Sequence, residues 1–344
     1  MKNTLLSILI IATAFFTSCK TSSLSVEVLK PAEISIPGKI KTLAVVNRSL
    51  PDENNRAVNI IEGVLSGEGI FVDREASQRT VNGVANALNS SPRFLVTVPD
   101  GLNLKGTGTA MFPEPLAWSK IDEICKTYNA DAVVALETFD SNVSTRFAKE
   151  ERKRKEGERT ITYKVHIATL DISIDAGWRI YFPNEKRIVD QDVFVDHKYW
   201  KGEGRNDDEA ASKLPNPREA IKEAGFYAGE QYAYRISPMY VWVSRKYYKK
   251  GPDEFKNAKY NVKANDWEGA KEIWIRYVND IDQKLAGYAT YNMALYYEIQ
   301  GDLQKAKEWA QKSYTDYQNK AAYQYLNNLK QRIYDQEKLK NQME

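Results

Sequence analysis

The chain has 344 residues, enough for two domains that each bury a core. Its 49 basic residues nearly balance 46 acidic ones, so the formal net charge of +3 supplies no global field for nucleic acid. Two cysteines and two histidines leave metal and thiol chemistry thinly provided for.

The first element in chain order is an apolar segment at 5–16 behind Lys2. About a dozen apolar residues suit a signal-peptide core and fall short of the roughly 20 that span a bilayer. The segment closes on FFTSCK (15–20), where Phe16-Thr17-Ser18-Cys19 resembles the bacterial lipobox, a small residue before an obligatory cysteine. That resemblance implies cleavage before Cys19 and acyl chains on its thiol and new amino group. Several chains on one residue hold firmly where a single chain binds marginally. It also implies an outer-membrane lipid anchor with the body in the periplasm, since no acidic cluster follows Cys19. Residues 1–18 are read as signal and 19–36 as a flexible tether, which the small, polar stretch at 21–25 suits. With Cys19 lipidated, Cys125 has no disulfide partner. It shares a helical face with Trp118, Ile121 and Tyr128 and reads as core.

Residues 37–238 alternate strand and helix signals. KTLAVVN (41–47) is a short apolar run suited to a strand buried on both faces. Helices are expected at 52–65, on Val58, Ile61 and Leu65, and at 73–88. A strand at 93–98 stops at Pro99-Asp100-Gly101, and a helix at 118–128 leads into a buried strand at 132–139. Long hairpins follow, with Phe139, Val143 and Phe147 on one strand and Ile161, Tyr163, Val165 and Ile167 on its return. Between them KEERKRKEGER (149–159) interleaves both charge signs without an aromatic and reads as a solvated tip rather than a basic recognition loop. The apolar phase flips from odd positions through Ile167 to even ones at Leu170, Ile172 and Ile174, which predicts a bulge or a change of buried face near Ala168. A third hairpin turns at Pro183-Asn-Glu-Lys186. A helix opened by Asn216-Pro-Arg-Glu219 carries the stripe Ile221, Ala224, Ala228, Tyr232 and Ile236 and ends at Pro238.

This order, with the strand entry Asn129-Ala130-Asp131-Ala132-Val133-Val134, resembles bacterial envelope domains that include the TolB N-terminal domain and the curli-secretion-channel lipoprotein. The channel members place a long amphipathic hairpin in the membrane. Here Lys164 and His166 interrupt the returning strand, so the pore function is not carried over.

Residues 239–252 read as a linker. Beyond it, Asn265-Asp-Trp-Glu-Gly-Ala-Lys-Glu and Gly301-Asp-Leu-Gln-Lys-Ala-Lys-Glu share a pattern, and Ala258 and Ala294 each precede Ala270 and Ala306 by the same interval. The spacing resembles tetratricopeptide repeats over 253–334, with the stripe Ala322, Tyr325, Leu326, Leu329 and Ile333 on a capping helix and a polar tail at 335–344. By the register of that family, the groove positions would be Lys259, Lys263, Tyr291 and Glu298. The fold class expected is therefore α+β: an α/β sandwich-like domain with a mixed sheet and long hairpins, followed by an all-α tetratricopeptide-like domain.

No local pattern carries catalysis. His166 and His197 lack a second ligand at metal spacing. Asp190, Asp192 and Asp196 share strand parity with Phe194 and read as solvated charges rather than a calcium site. Gly106-Thr-Gly108 lacks the remaining residues of either nucleotide fingerprint. The whole chain resembles uncharacterised lipoproteins of anaerobic gut-type Gram-negative bacteria. The expectation is a non-catalytic envelope lipoprotein, without cofactor, metal or nucleic-acid partner, that docks an envelope protein through its helical repeats. Two rivals are a subunit of a homo-oligomeric secretion or assembly ring, and a hidden hydrolase or small-molecule or glycan binder using Tyr199, Trp200 and Tyr240 to Trp242.

Overall fold

The computed structural model describes residues 20–50, 67–107 and 111–344. Cys19, the signal segment, the helix expected at 52–65 and Gly108 lie outside the described residues. The chain is α+β and divides into two compact units: a sheet unit of Leu29–Tyr240 with Gln336–Glu344, and a helical unit of residues 20–28 with Val241–Asp335.

In the sheet unit, β2 (Thr42–Asn47), β3 (Leu95–Thr97), β4 (Ala132–Glu156), β5 (Arg159–Phe182) and β6 (Arg187–Gly204) form a mixed sheet of order β3-β2-β4-β5-β6. β2 runs parallel to β3 and β4, while β5 and β6 return antiparallel. One face packs on α1 (Gly67–Asn89) and α4 (Pro217–Ile236), the other on α2 (Trp118–Tyr128), and the short α3 (Asp207–Ala211) follows β6. The apolar run at the start of β4 follows directly: Val134 and Leu136 enter one core, and Val133 and Ala135 the other. Cys125 is buried on α2, where burial first, then Asp122 and Asp131, pushes its thiol up to about 11 and leaves it inert near neutrality.

The α1–α4 crossing is unusually close. A Cβ on Gly83 would collide with the Phe226 carbonyl, and one on Gly229 with the Thr80 carbonyl. The small residues of the closing helix therefore serve packing within one chain. Asn216 caps α4 by accepting from Arg218 N at 2.9 Å, as its sequence signature predicts.

β4 and β5 pair without interruption from Thr138↔Gly177 to Glu156↔Arg159, so the phase flip at Ala168 is not a bulge. The buried face changes instead: Leu170, Ile172 and Ile174 face the helices, while Ile161 to Ile167 lie on the opposite side. The charged stretch 149–159 is strand almost throughout, turning at Gly157, whose φ is +61°.

In the helical unit, α5 (Asp253–Lys263), α6 (Trp267–Trp274), α7 (Gln283–Ile299), α8 (Leu303–Thr315) and the part of α9 (Lys320–Met343) up to Asp335 bury one apolar core. The shared motif has a physical basis. Asn265 and Gly301 both take left-handed backbone, at φ +60° and +80°, and Asp266 and Asp302 then cap α6 and α8 by accepting from Gly269 N and Lys305 N. Ala258, Ala270, Ala294 and Ala306 are all fully buried at the helix contacts.

Three expected irregular segments are ordered. The tether contains β1 (Thr21–Lys30), which pairs with β7 (Met239–Tyr248) in the stretch expected as a linker. Leu24, Val26 and Val28 alternate on β1, as do Val241, Val243, Arg245 and Tyr247 on β7, and period-two burial draws both out of coil. The polar tail continues α9. Its Gln342 is buried, accepting from Ala32 N at 2.9 Å and donating to Ala32 O at 3.0 Å.

Candidate functional site

The four groove positions do not form one exposed surface. Lys263 is exposed and Lys259 half-buried on α5, but Tyr291 and Glu298 are buried inside the helical unit. Glu298 takes the Arg245 guanidinium side-on, with Nε at 2.8 and 3.1 Å and Nη2 at 2.9 Å. It also accepts from Tyr325 Oη and Arg332 Nη1, both at 2.6 Å. Burial is the largest influence and raises its pKa, but Arg245, Tyr325 and Arg332 together outweigh it and hold the carboxyl below the ordinary range. Burial likewise pushes the Tyr291 phenol upward, with Tyr248 adding to it. This corrects the expectation for both residues: the Glu298 carboxylate is committed internally, and the Tyr291 ring is buried against Tyr248 and Tyr325, so neither is offered to a partner.

A second buried charge cluster lies in the sheet unit. Glu137 is inaccessible on β4, bonded to Arg48 Nη1 at 2.9 Å and Tyr181 Oη at 2.5 Å, with Arg179 at 3.7 Å. The arginines also donate to loop carbonyls, Arg48 to Lys105 and Glu114, and Arg179 to Pro113. Burial, opposed by Tyr181 and the arginines, still raises the Glu137 pKa. The cluster staples the loop before α2 onto the sheet. Sequence reading passed over it, although a carboxylate inside AVVALETF is the signal that it existed, since a buried charge demands partners.

The acidic row on β6 is also corrected. Asp190, Asp192 and Asp196 share the helix-side face with Phe194. There Asp190 accepts from Tyr232 Oη at 3.5 Å and Asp196 pairs with Arg235 at 3.4 Å, instead of facing solvent, while Asp192 is exposed as expected. His166 pairs with Asp207 at 2.6 Å and His197 with Asp171 at 3.1 Å. Among the described residues no group of three or more His, Cys, Asp or Glu is placed to hold a metal, and no helix is long and apolar enough to cross a membrane. Tyr199 and Trp200 point to opposite faces of β6, so they do not line one cleft.

The surface that stands out is the β4–β5–β6 ribbon. Among the described residues β2 pairs with β4 only as far as Leu136, and no strand pairs with that edge of β4 from Thr138 to Glu156. Residues 142–148 are exposed, and they include Val143 and Phe147 at 45% and 52% accessibility, both on the helix-side face beyond the helices. Farther out the edge is guarded by charge, with Arg152 bonded to Glu203 at 2.8 Å and Glu150 at 3.0 Å.

Two family models match this chain. Residues 40–248 match a domain of unknown function, DUF8603, and residues 256–331 match another, DUF6340. No curated protein matches. Similar solved structures include a PelC dodecamer from Paraburkholderia phytofirmans, 10% identical with a TM-score of 0.25, covering 62% of this chain and 98% of that one. A neuraminyllactose-binding hemagglutinin homolog from Helicobacter pylori is 10% identical with a TM-score of 0.23, covering 59% and 87%. Likeness at this level bears on neither activity nor assembly.

Proposed function

We propose that this chain, which belongs to the DUF8603 family of domains of unknown function, is a non-catalytic cell-envelope lipoprotein that docks an extended segment of another envelope protein. The observation that carries the reading is the edge of β4 around Val143 and Phe147, unpaired among the described residues. An unpaired edge presents alternating N–H and C=O groups that only another backbone satisfies well, and exposed apolar side chains at every fourth residue give such a strand a register. Charge at 149–156 keeps the outer half of the edge solvated, leaving 140–148 as the receptive stretch.

The lipid at Cys19, the outer-membrane location and the periplasmic orientation rest on the lipobox resemblance. The tetratricopeptide-like reading is supported by the four buried alanines and the paired left-handed caps. On α5, Lys259 and Lys263, beside Tyr260 at 64% accessibility, offer a second contact.

The test is photo-crosslinking in living cells from Val143, Phe147, Lys259 or Lys263, one position at a time. Crosslinks to a distinct envelope protein from 143 and 147 support the edge as the docking site. Crosslinks to another copy of the chain from those positions support a homo-oligomeric ring instead. Crosslinks confined to 259 and 263 move docking to the helical unit, and none at any position refutes docking.

A further inference from the structure

Four lysines gather where β1 begins. Lys249 N donates to Lys20 O at 3.1 Å, which sets the end of β7 beside the start of β1. The chain then turns at Gly251, where an added Cβ would lie 3.1 Å from Leu285 Cδ1, so Lys250 is delivered to the first turn of α7, where Lys284 stands. Lys284 first, then burial and Lys250, depress the Lys20 ammonium below its ordinary range, a sign of like charges crowded together. Lys20, Lys250 and Lys284 are exposed, and none of the four makes an ion pair among the described residues. The nearby carboxylates are engaged locally: Asp253 with Lys256, Asp280 with the amide of Asp282, and Asp282 with the amides of Lys284 and Leu285. Next to the cluster, Ile281 is 97% exposed, an aliphatic side chain with no protein contact to speak of.

We propose that this lysine cluster, with Ile281 at its border, is a docking surface for anionic phospholipid headgroups that holds this end of the helical unit against the membrane. The inference rests on the lipid-anchor reading for its place, because the patch starts at the residue following Cys19. A freely swinging body would need no such patch, but β1 begins at Thr21 and leaves almost no slack between the anchor and the folded chain. The lipid then sets a high local concentration of headgroups beside the lysines. Lysine near an anionic leaflet gains about fivefold in partition per residue, and an exposed aliphatic side chain adds insertion at the acyl boundary.

The test uses the processed full chain reconstituted in vesicles of phosphatidylcholine alone or mixed with phosphatidylglycerol. Backbone amide exchange is read at 20–24, 246–251 and 279–285, and the mass of the N-terminal peptide reports the lipid. The expected result is several-fold slower exchange in all three stretches on the anionic vesicles, fading with salt as the Debye length shrinks to about 3 Å near 1 M. The K20Q/K249Q/K250Q/K284Q variant should lose that difference while keeping its unfolding midpoint, and Ile281→Asp should weaken it. Equal exchange on both vesicles, retention in the fourfold variant, or the same protection from inorganic phosphate alone would overturn the proposal. An unmodified Cys19 with anionic protection intact would instead remove the anchor and leave the patch standing.

Discussion

Glu298→Gln separates the two readings of the helical unit. In the structure one buried carboxylate pairs with both Arg245 and Arg332 and accepts from Tyr325. The amide removes the charge and keeps one acceptor oxygen, so Arg245, only 10% exposed in its side chain, is left a buried cation with neutral acceptors only, that oxygen and Ser244 O at 3.3 Å. Breaking a buried pair in this way costs about 3–5 kcal/mol, and the retained acceptor returns about 1 kcal/mol. The expected loss is about 3 kcal/mol for Gln and somewhat more for Ala. Amide exchange in α7 and α9 reads it locally, where 3 kcal/mol appears as opening more than a hundredfold easier, since 1.4 kcal/mol is tenfold. The pH dependence has a definite sign. The folded carboxyl lies below its unfolded value, so its contribution is present above the unfolded value and lost as pH falls through the folded one. Between neutral pH and about pH 3 the wild-type helices should therefore lose more protection than the variant. A change below about 0.5 kcal/mol, the usual size for an exposed site, would refute the network argument and restore Glu298 as a surface residue.

Asp73, bonded to Ser141 Oγ at 2.5 Å, should act in the opposite sense. Burial, opposed by the Ser141 bond and reinforced by Asp140, raises its folded value from 3.8 to about 6. Stability is then present below 3.8 and lost as pH rises toward 6, and Asp73→Asn should flatten that window in urea-midpoint measurements. Gly229→Ala and Gly83→Ala should each cost about 1–3 kcal/mol or more by overpacking the α1–α4 crossing, despite the roughly 1 kcal/mol that Ala gains over Gly in a helix; thermal unfolding reads both. Gln342→Ala leaves Ala32 N and O unpaired in a buried setting, so exchange at 31–36 should rise by the equivalent of about 1–3 kcal/mol.

Elements whose cause is local were legible. KTLAVVN and AVVALETF are strands because both faces of each are covered, Asn216 caps its helix, and the Asp266 and Asp302 motif residues cap theirs. Elements whose cause is distant were not. β1 and β7 each show period-two alternation, but neither is worth forming until the other arrives from more than 200 residues away. The charged run 149–159 reads as a loop by composition, yet the pairing that begins in the core at Val133↔Tyr181 propagates along the hairpin and carries it into strand. Lys263 could be placed on a surface from spacing alone. Glu298 could not, because its burial depends on Arg245 and Arg332, residues that no periodicity links to it.

The most direct test of strand docking is amide exchange along β4 at 139–148, compared between the protein in native membranes and the purified chain. Strand docking predicts slow exchange at alternate residues of that edge in membranes and fast exchange after purification, with the β5-paired amides unchanged. Equally fast exchange in both preparations would contradict it.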